Sequence, residues 1–160
     1  LGGTMATYAG QNVGAGKLDR IKAGLKSSSI IGCIYAVIAF LILVFFSDKI
    51  ALLFMDAGET ETIRQVSMFL IANSAFYIPL VFVNVVRFTI QGMGYSLLAI
   101  LAGVCEMIAR ALVGFALVPI FGYIIICFAS PLAWLMADAF LIPAFYYCLR
   151  NLLKAQEMLE

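Results

Sequence analysis

The stretch Ser27–Ser47, SSSIIGCIYAVIAFLILVFFS, decides the fold. It carries no charge, and its apolar residues run on without alternating. A helix crossing the hydrocarbon core needs roughly 20 mostly apolar residues, so this run supplies one crossing. A barrel strand would alternate apolar and polar positions over about ten residues, and this stretch does not.

Working outward, a second charge-free stretch runs from Gln65 to Val86. A third apolar region, Phe88 to Leu149, is too long for one helix and holds only Glu106, Arg110 and Asp138 as charges. Pro119-Ile120-Phe121-Gly122-Tyr123 divides it, because proline and glycine together punctuate helices. The reading is an all-α, polytopic membrane bundle with four spans, near 27–47, 64–87, 95–118 and 127–149. Residues 1–26 form the end of a preceding helix and a basic loop; residues 150–160 form a tail.

Composition agrees. The 160 residues are 64% hydrophobic and 12% charged, with a mean hydropathy of +1.07. Soluble domains sit near 45–50% apolar and about 25% charged. The lipid bilayer is therefore the solvent for much of this chain. A formal charge of +1 and the lack of a basic stripe with interleaved aromatics give no footprint for nucleic acid.

The chain has no histidine, the commonest metal ligand and acid–base group. Cys33, Cys105, Cys127 and Cys148 lie far apart without a C-x-x-C spacing, so neither a metal site nor a disulfide framework is expected. No paired membrane aspartates or Ser–Lys constellation points to an intramembrane enzyme.

Loop charges set the orientation. Lys17, Arg20, Lys22 and Lys26 precede the first span, Arg87 closes the second, and Arg150 and Lys154 follow the fourth. Those seven basic residues share one side, against Lys49 and Arg64 on the other, which also holds Asp48, Asp56, Glu59 and Glu61. The positive-inside rule then puts both ends of the chain in the cytoplasm.

Charges within the spans are the candidate functional groups. One at the helix centre costs at least about 2.5–3.5 kcal/mol, so such residues persist facing a cavity or a partner. Glu106 and Arg110, at i and i+4, share a face and can pair. That face also carries Gly103 and Gly114, which would allow close helix packing. The pair is either a structural lock or part of a site. Asp138 has no basic neighbour in its own helix, so it must reach Arg110, reach water, or carry a proton. Desolvation favours the protonated carboxyl, which is what a proton-coupled carrier requires.

Asn73, Tyr77 and Asn84 make one side of the second span polar, and Pro79 interrupts that span near its middle. This is either a cavity-lining stripe or a set of interhelical hydrogen bonds. Pro143 in the fourth span reads the same way. Trp134, one turn from Asp138, suits recognition of organic cations, or a place in a packed interface.

The N-terminal segment TMATYAGQNVGAGK (Thr4–Lys17), followed by Leu18-Asp19-Arg20, resembles the pattern ending the second helix of each lobe in multidrug and toxic compound extrusion (MATE) transporters. The segment RFTIQGMG (Arg87–Gly94) is similar to the family's loop between the fourth and fifth helices of a lobe. The regions of Glu106–Arg110 and Asp138 look similar to its last two helices. Gln11, Gly14, Gly16, Arg87, Gln91 and Gly92 are the motif and loop positions. The glycines fit a helix end with a positive-φ stop, and a tight turn.

The resemblance implies a twelve-helix, two-lobe secondary antiporter in a bacterial plasma membrane. This chain would be the C-terminal lobe from the end of its second helix, partnered by an N-terminal lobe. The implied activity is alternating-access export of drugs or organic cations, with sodium or protons as coupling ion and no other cofactor. No acid lies in the 64–87 span, where some members carry one, leaving Glu106 and Asp138 as candidates. Arg110 would pair one acid while the other cycles. The alternatives are a lipid-linked oligosaccharide flippase of the same superfamily and a structural membrane subunit.

Overall fold

A computed structural model describes residues 1–54 and 58–158. Asp56, counted above among the loop acids, lies outside the described residues. Every regular element among them is helical: α1 (Gly2–Gly14), α2 (Leu18–Ala51), α3 (Thr60–Ser74), α4 (Tyr77–Gly92), α5 (Ser96–Leu112), α6 (Val118–Phe121) and α7 (Tyr123–Glu157). A π-helical turn, Val113–Leu117, joins α5 to α6.

Three segments are long and apolar enough to cross a membrane: α2, the run Ser96–Phe121, and α7. The pair α3 and α4, bent by 51° at their junction, gives a fourth if taken as one broken span. The all-α, polytopic expectation therefore holds.

The helices overrun the expected spans. The first extends over 18–51 instead of 27–47, and the last over 123–157 instead of 127–149. Hydropathy registers only the length in lipid, whereas Leu18–Lys26 and Arg150–Glu157, rich in Leu, Lys, Arg and Ala, continue the helix beyond it. The third span ends at Phe121, where Gly122 adopts φ 64°, a left-handed conformation that suits glycine. Pro119 lies in the first turn of α6, where its missing N–H has no intrahelical role.

The second span departs most. Its break falls at Ala75–Phe76, and Pro79 sits in the first turn of α4 instead of interrupting a helix midway. Pro79 has no N–H for the Ala75 carbonyl and its ring would clash there, so the ladder stops just before it. Pro131 and Pro143, by contrast, lie inside the single helix α7.

The core forms where α4, α5 and α7 meet, around Val83, Val86, Ile90, Ala102, Ala137 and Leu141. Most of α2 packs little, leaving Ile34, Tyr35, Ile38 and Phe45 exposed to lipid. At one end of the bundle Gln156 Nε2 donates to the Gly16 carbonyl at 3.2 Å, and Gly92 touches α1. The α1–α2 turn, the α4–α5 turn and the end of α7 thus lie together. At the other end the Tyr123 hydroxyl donates to the Gln65 carbonyl at 2.9 Å.

Candidate functional site: an ion cluster between three helices

The period of α5 turns Ala99, Ala102, Glu106 and Ala109 inward, so Glu106 arrives at the α4–α5–α7 junction among small residues. One of its carboxylate oxygens accepts from Nη2 of Arg110 at 3.1 Å, as the i, i+4 spacing predicts. The other accepts from Nη2 of Arg87, on α4. Glu106 is thus held by guanidinium groups from two helices. Burial decreases outward: the side chains of Glu106, Arg87 and Arg110 are 11%, 25% and 43% exposed.

Arg87 corrects the expectation. Arg87, Gln91 and Gly92 belong to α4, and the turn between α4 and α5 is Met93–Tyr95, with Gly94 at φ 95°. Arg87 therefore counts with the cluster and not with the loop charges. That end still carries Lys17 in the α1–α2 turn, Arg20, Lys22 and Lys26 at the start of α2, and Arg150 and Lys154 at the end of α7. A buried glutamate one helix away was the available signal, because a carboxylate accepts from two donors at once.

Asp138 lies on the inward face of α7 with 9% of its surface exposed. It pairs with neither arginine, which removes the first of the three fates open to it. Glu106 and Arg87 are the charged groups acting on it across the helix contacts. Its Oδ1 and the Nε of Arg87 are buried with no hydrogen-bond partner among the described residues. One turn along α7, Trp134 is 8% exposed and its ring meets that of Tyr77 of α4, centroids 6.4 Å apart at 52°. The structure thus brings Glu106, Arg110, Asp138, Trp134 and Tyr77 to one helix junction, with Arg87 added.

Asn73 does not join them. It sits on α3, across the bend from Tyr77 and Asn84, so the three form no continuous polar stripe. Its Nδ2 donates to Phe69 O at 2.9 Å within α3 and to Cys127 O of α7 at 3.2 Å. Cys127 is four residues before Pro131, so Asn73 supplies the hydrogen bond that the proline cannot. Asn84 is exposed and donates to Leu80 O of its own helix.

The glycines also sort differently. No atom lies within 4 Å of where a Cβ on Gly103 of α5 or Gly114 of the π-helical turn would sit, because each follows the buried residue, Ala102 or Val113, by one position. The close approach is at Gly92, where a Cβ would fall 2.2 Å from the carbonyl oxygen of Ala6 on α1. Gly16 takes the expected positive φ, 66°, after Gly14 ends α1; Gln11 is exposed, and its neighbour Asn12 turns inward. No group of three His, Cys, Asp or Glu side chains among the described residues could hold a metal.

The MatE family matches residues 1–116, which take in α1 to α5 and the arginine–glutamate cluster. The chain belongs to the MatE family. It is a multi-pass membrane transporter of the MATE superfamily, whose members are transporters and not enzymes. The match ends before α7, so Asp138 and Trp134 stand on the geometry of this MatE chain alone. No curated protein and no solved structure matches it significantly.

Proposed function

We propose that this MatE chain is the C-terminal part of a two-lobe antiporter that exports organic cations by alternating access, coupled through Asp138. The carrying observation is a carboxylate oxygen buried without a protein partner, one turn along α7 from the Trp134 that pairs with Tyr77. A buried acid so placed costs folding free energy that a purely structural residue need not cost.

Protons fit this site better than sodium. Each oxygen of Glu106 already accepts from an arginine, and two guanidinium groups repel a metal cation. That leaves one carboxylate, too few oxygens for a desolvated alkali ion. Trp134 and Tyr77 supply aromatic faces for a drug-like cation, worth ~0.5–2 kcal/mol per contact. A flippase for anionic, lipid-linked sugars would call for free basic groups at this depth, whereas Arg87 and Arg110 both face Glu106. The basic segments at one end of the bundle favour a plasma-membrane orientation with both ends of the chain cytoplasmic.

The test is Asp138→Asn in the full-length protein reconstituted in vesicles, with efflux of a cationic dye driven by an imposed proton or sodium gradient. The expected result is loss of proton-driven efflux with dye binding retained. Unchanged proton-driven efflux sinks the proposal, and efflux driven only by sodium moves the coupling elsewhere.

A further inference from the structure

A groove of about 620 Å³ runs between α2, α4 and α7, away from the ion cluster. On α2 its wall is one helical face: Lys22, Lys26 and Ser29 at one end, then Ile30 and Cys33, at the i, i+4, i+7, i+8 and i+11 positions. Phe82 of α4 with Phe145 and Tyr146 of α7 close the apolar part. The two lysines are exposed, and neither forms a salt bridge among the described residues.

Level decides the occupant. At 1.5 Å per residue, Lys26 to Ile34 is about 12 Å, close to the thickness of one leaflet's hydrocarbon, about 15 Å. The lysines therefore stand at the headgroup layer of the leaflet on the basic side, with the apolar trough below them. A lone hydrophobic trough would take any acyl chain. Two ammonium groups and a hydroxyl at its mouth select one whose headgroup carries a phosphate without a balancing cation.

We infer that this groove is a binding site for an anionic phospholipid, its phosphate at Lys22, Lys26 and Ser29 and one acyl chain lying against Ile30, Cys33, Phe82 and Phe145. The inference is independent of the coupling role proposed for Asp138, since none of Glu106, Arg87, Arg110 and Asp138 lines the groove.

Native mass spectrometry of the full-length protein, with phosphatidylglycerol and phosphatidylcholine supplied equally, tests it. The wild type should retain phosphatidylglycerol about thirtyfold over phosphatidylcholine, the scale two interfacial lysines provide. Lys22→Gln/Lys26→Gln should abolish that preference. Lys17→Gln/Arg20→Gln removes as much charge at the same end, outside the groove, and should leave it intact. Cys33→Trp fills the trough and should lose the lipid with both lysines present; if it fails to fold, the exposed lysine pair still decides. Equal retention of both lipids by the wild type overturns the site. So does a preference that survives without Lys22 and Lys26, or one lost equally in both charge variants. A helix of the other lobe seated in the groove would give the first of these results.

Discussion

Arg87 of α4 and Arg110 of α5 share the carboxylate of Glu106, one guanidinium on each oxygen. The arrangement makes the three residues unequal. Removing Glu106 leaves two arginines facing each other, whereas removing either arginine leaves Glu106 still paired.

Glu106→Gln should therefore be the costliest of the three substitutions, about 3–5 kcal/mol, the range for breaking a buried ion pair. Arg110→Gln, at a side chain 43% exposed, should cost under about 1 kcal/mol. Arg87→Gln should fall between them. Thermal unfolding of the purified protein in detergent gives the order, and an Arg110 variant as damaging as the Glu106 one would contradict it.

Asn73 and Pro131 should compensate each other. Asn73→Ala leaves the Cys127 carbonyl without its donor, at about 0.6–1.7 kcal/mol. Adding Pro131→Ala restores an N–H four residues along α7, so the double variant should be more stable than Asn73→Ala alone. A double variant less stable than that single one would separate the two residues.

Two glycines on adjacent helices should respond with opposite signs. Gly92→Ala drives a methyl into the Ala6 backbone and should cost about 1–3 kcal/mol as α1 and α4 part. Gly103→Ala meets nothing within 4 Å and should stabilise α5 by up to about 1 kcal/mol. Paired melting curves decide both.

Trp134→Ala should raise the KM for a cationic dye while leaving the gradient dependence of efflux in place, since the ring pairs with Tyr77 and carries no titrating group. Trp134→Phe should recover most of the affinity. A Trp134→Ala protein with unchanged KM but altered proton dependence would reverse the assignments of Trp134 and Asp138.

The spans were legible because charge-free runs such as Ser27–Ser47 have few other solutions at this length. The Glu106–Arg110 pair was legible too, because i, i+4 spacing fixes a shared face. Arg87 was not. Basic residues at span ends ordinarily belong to loops, and only the packing of α4 on α5 shows that its side chain turns inward. The polar stripe was misread for a related reason: spacing along one straight helix assigns a common face to Asn73 and Tyr77, and the bend at Ala75–Phe76 removes it. Gly103 and Gly114 likewise satisfy a small-residue pattern, yet a shift of one position off the inward row leaves them without a neighbour.

That bend divides the second span into halves that share α2 and α7 as neighbours but carry different polar ties. α3 is bonded to α7 through Asn73–Cys127 and Gln65–Tyr123, whereas α4 is bonded to α5 through Arg87–Glu106 and closely approaches α1 at Gly92. The 51° bend at residues 75–76 therefore sets the arginine of the ion cluster and the asparagine bonded to α7 on helices that no longer share one axis.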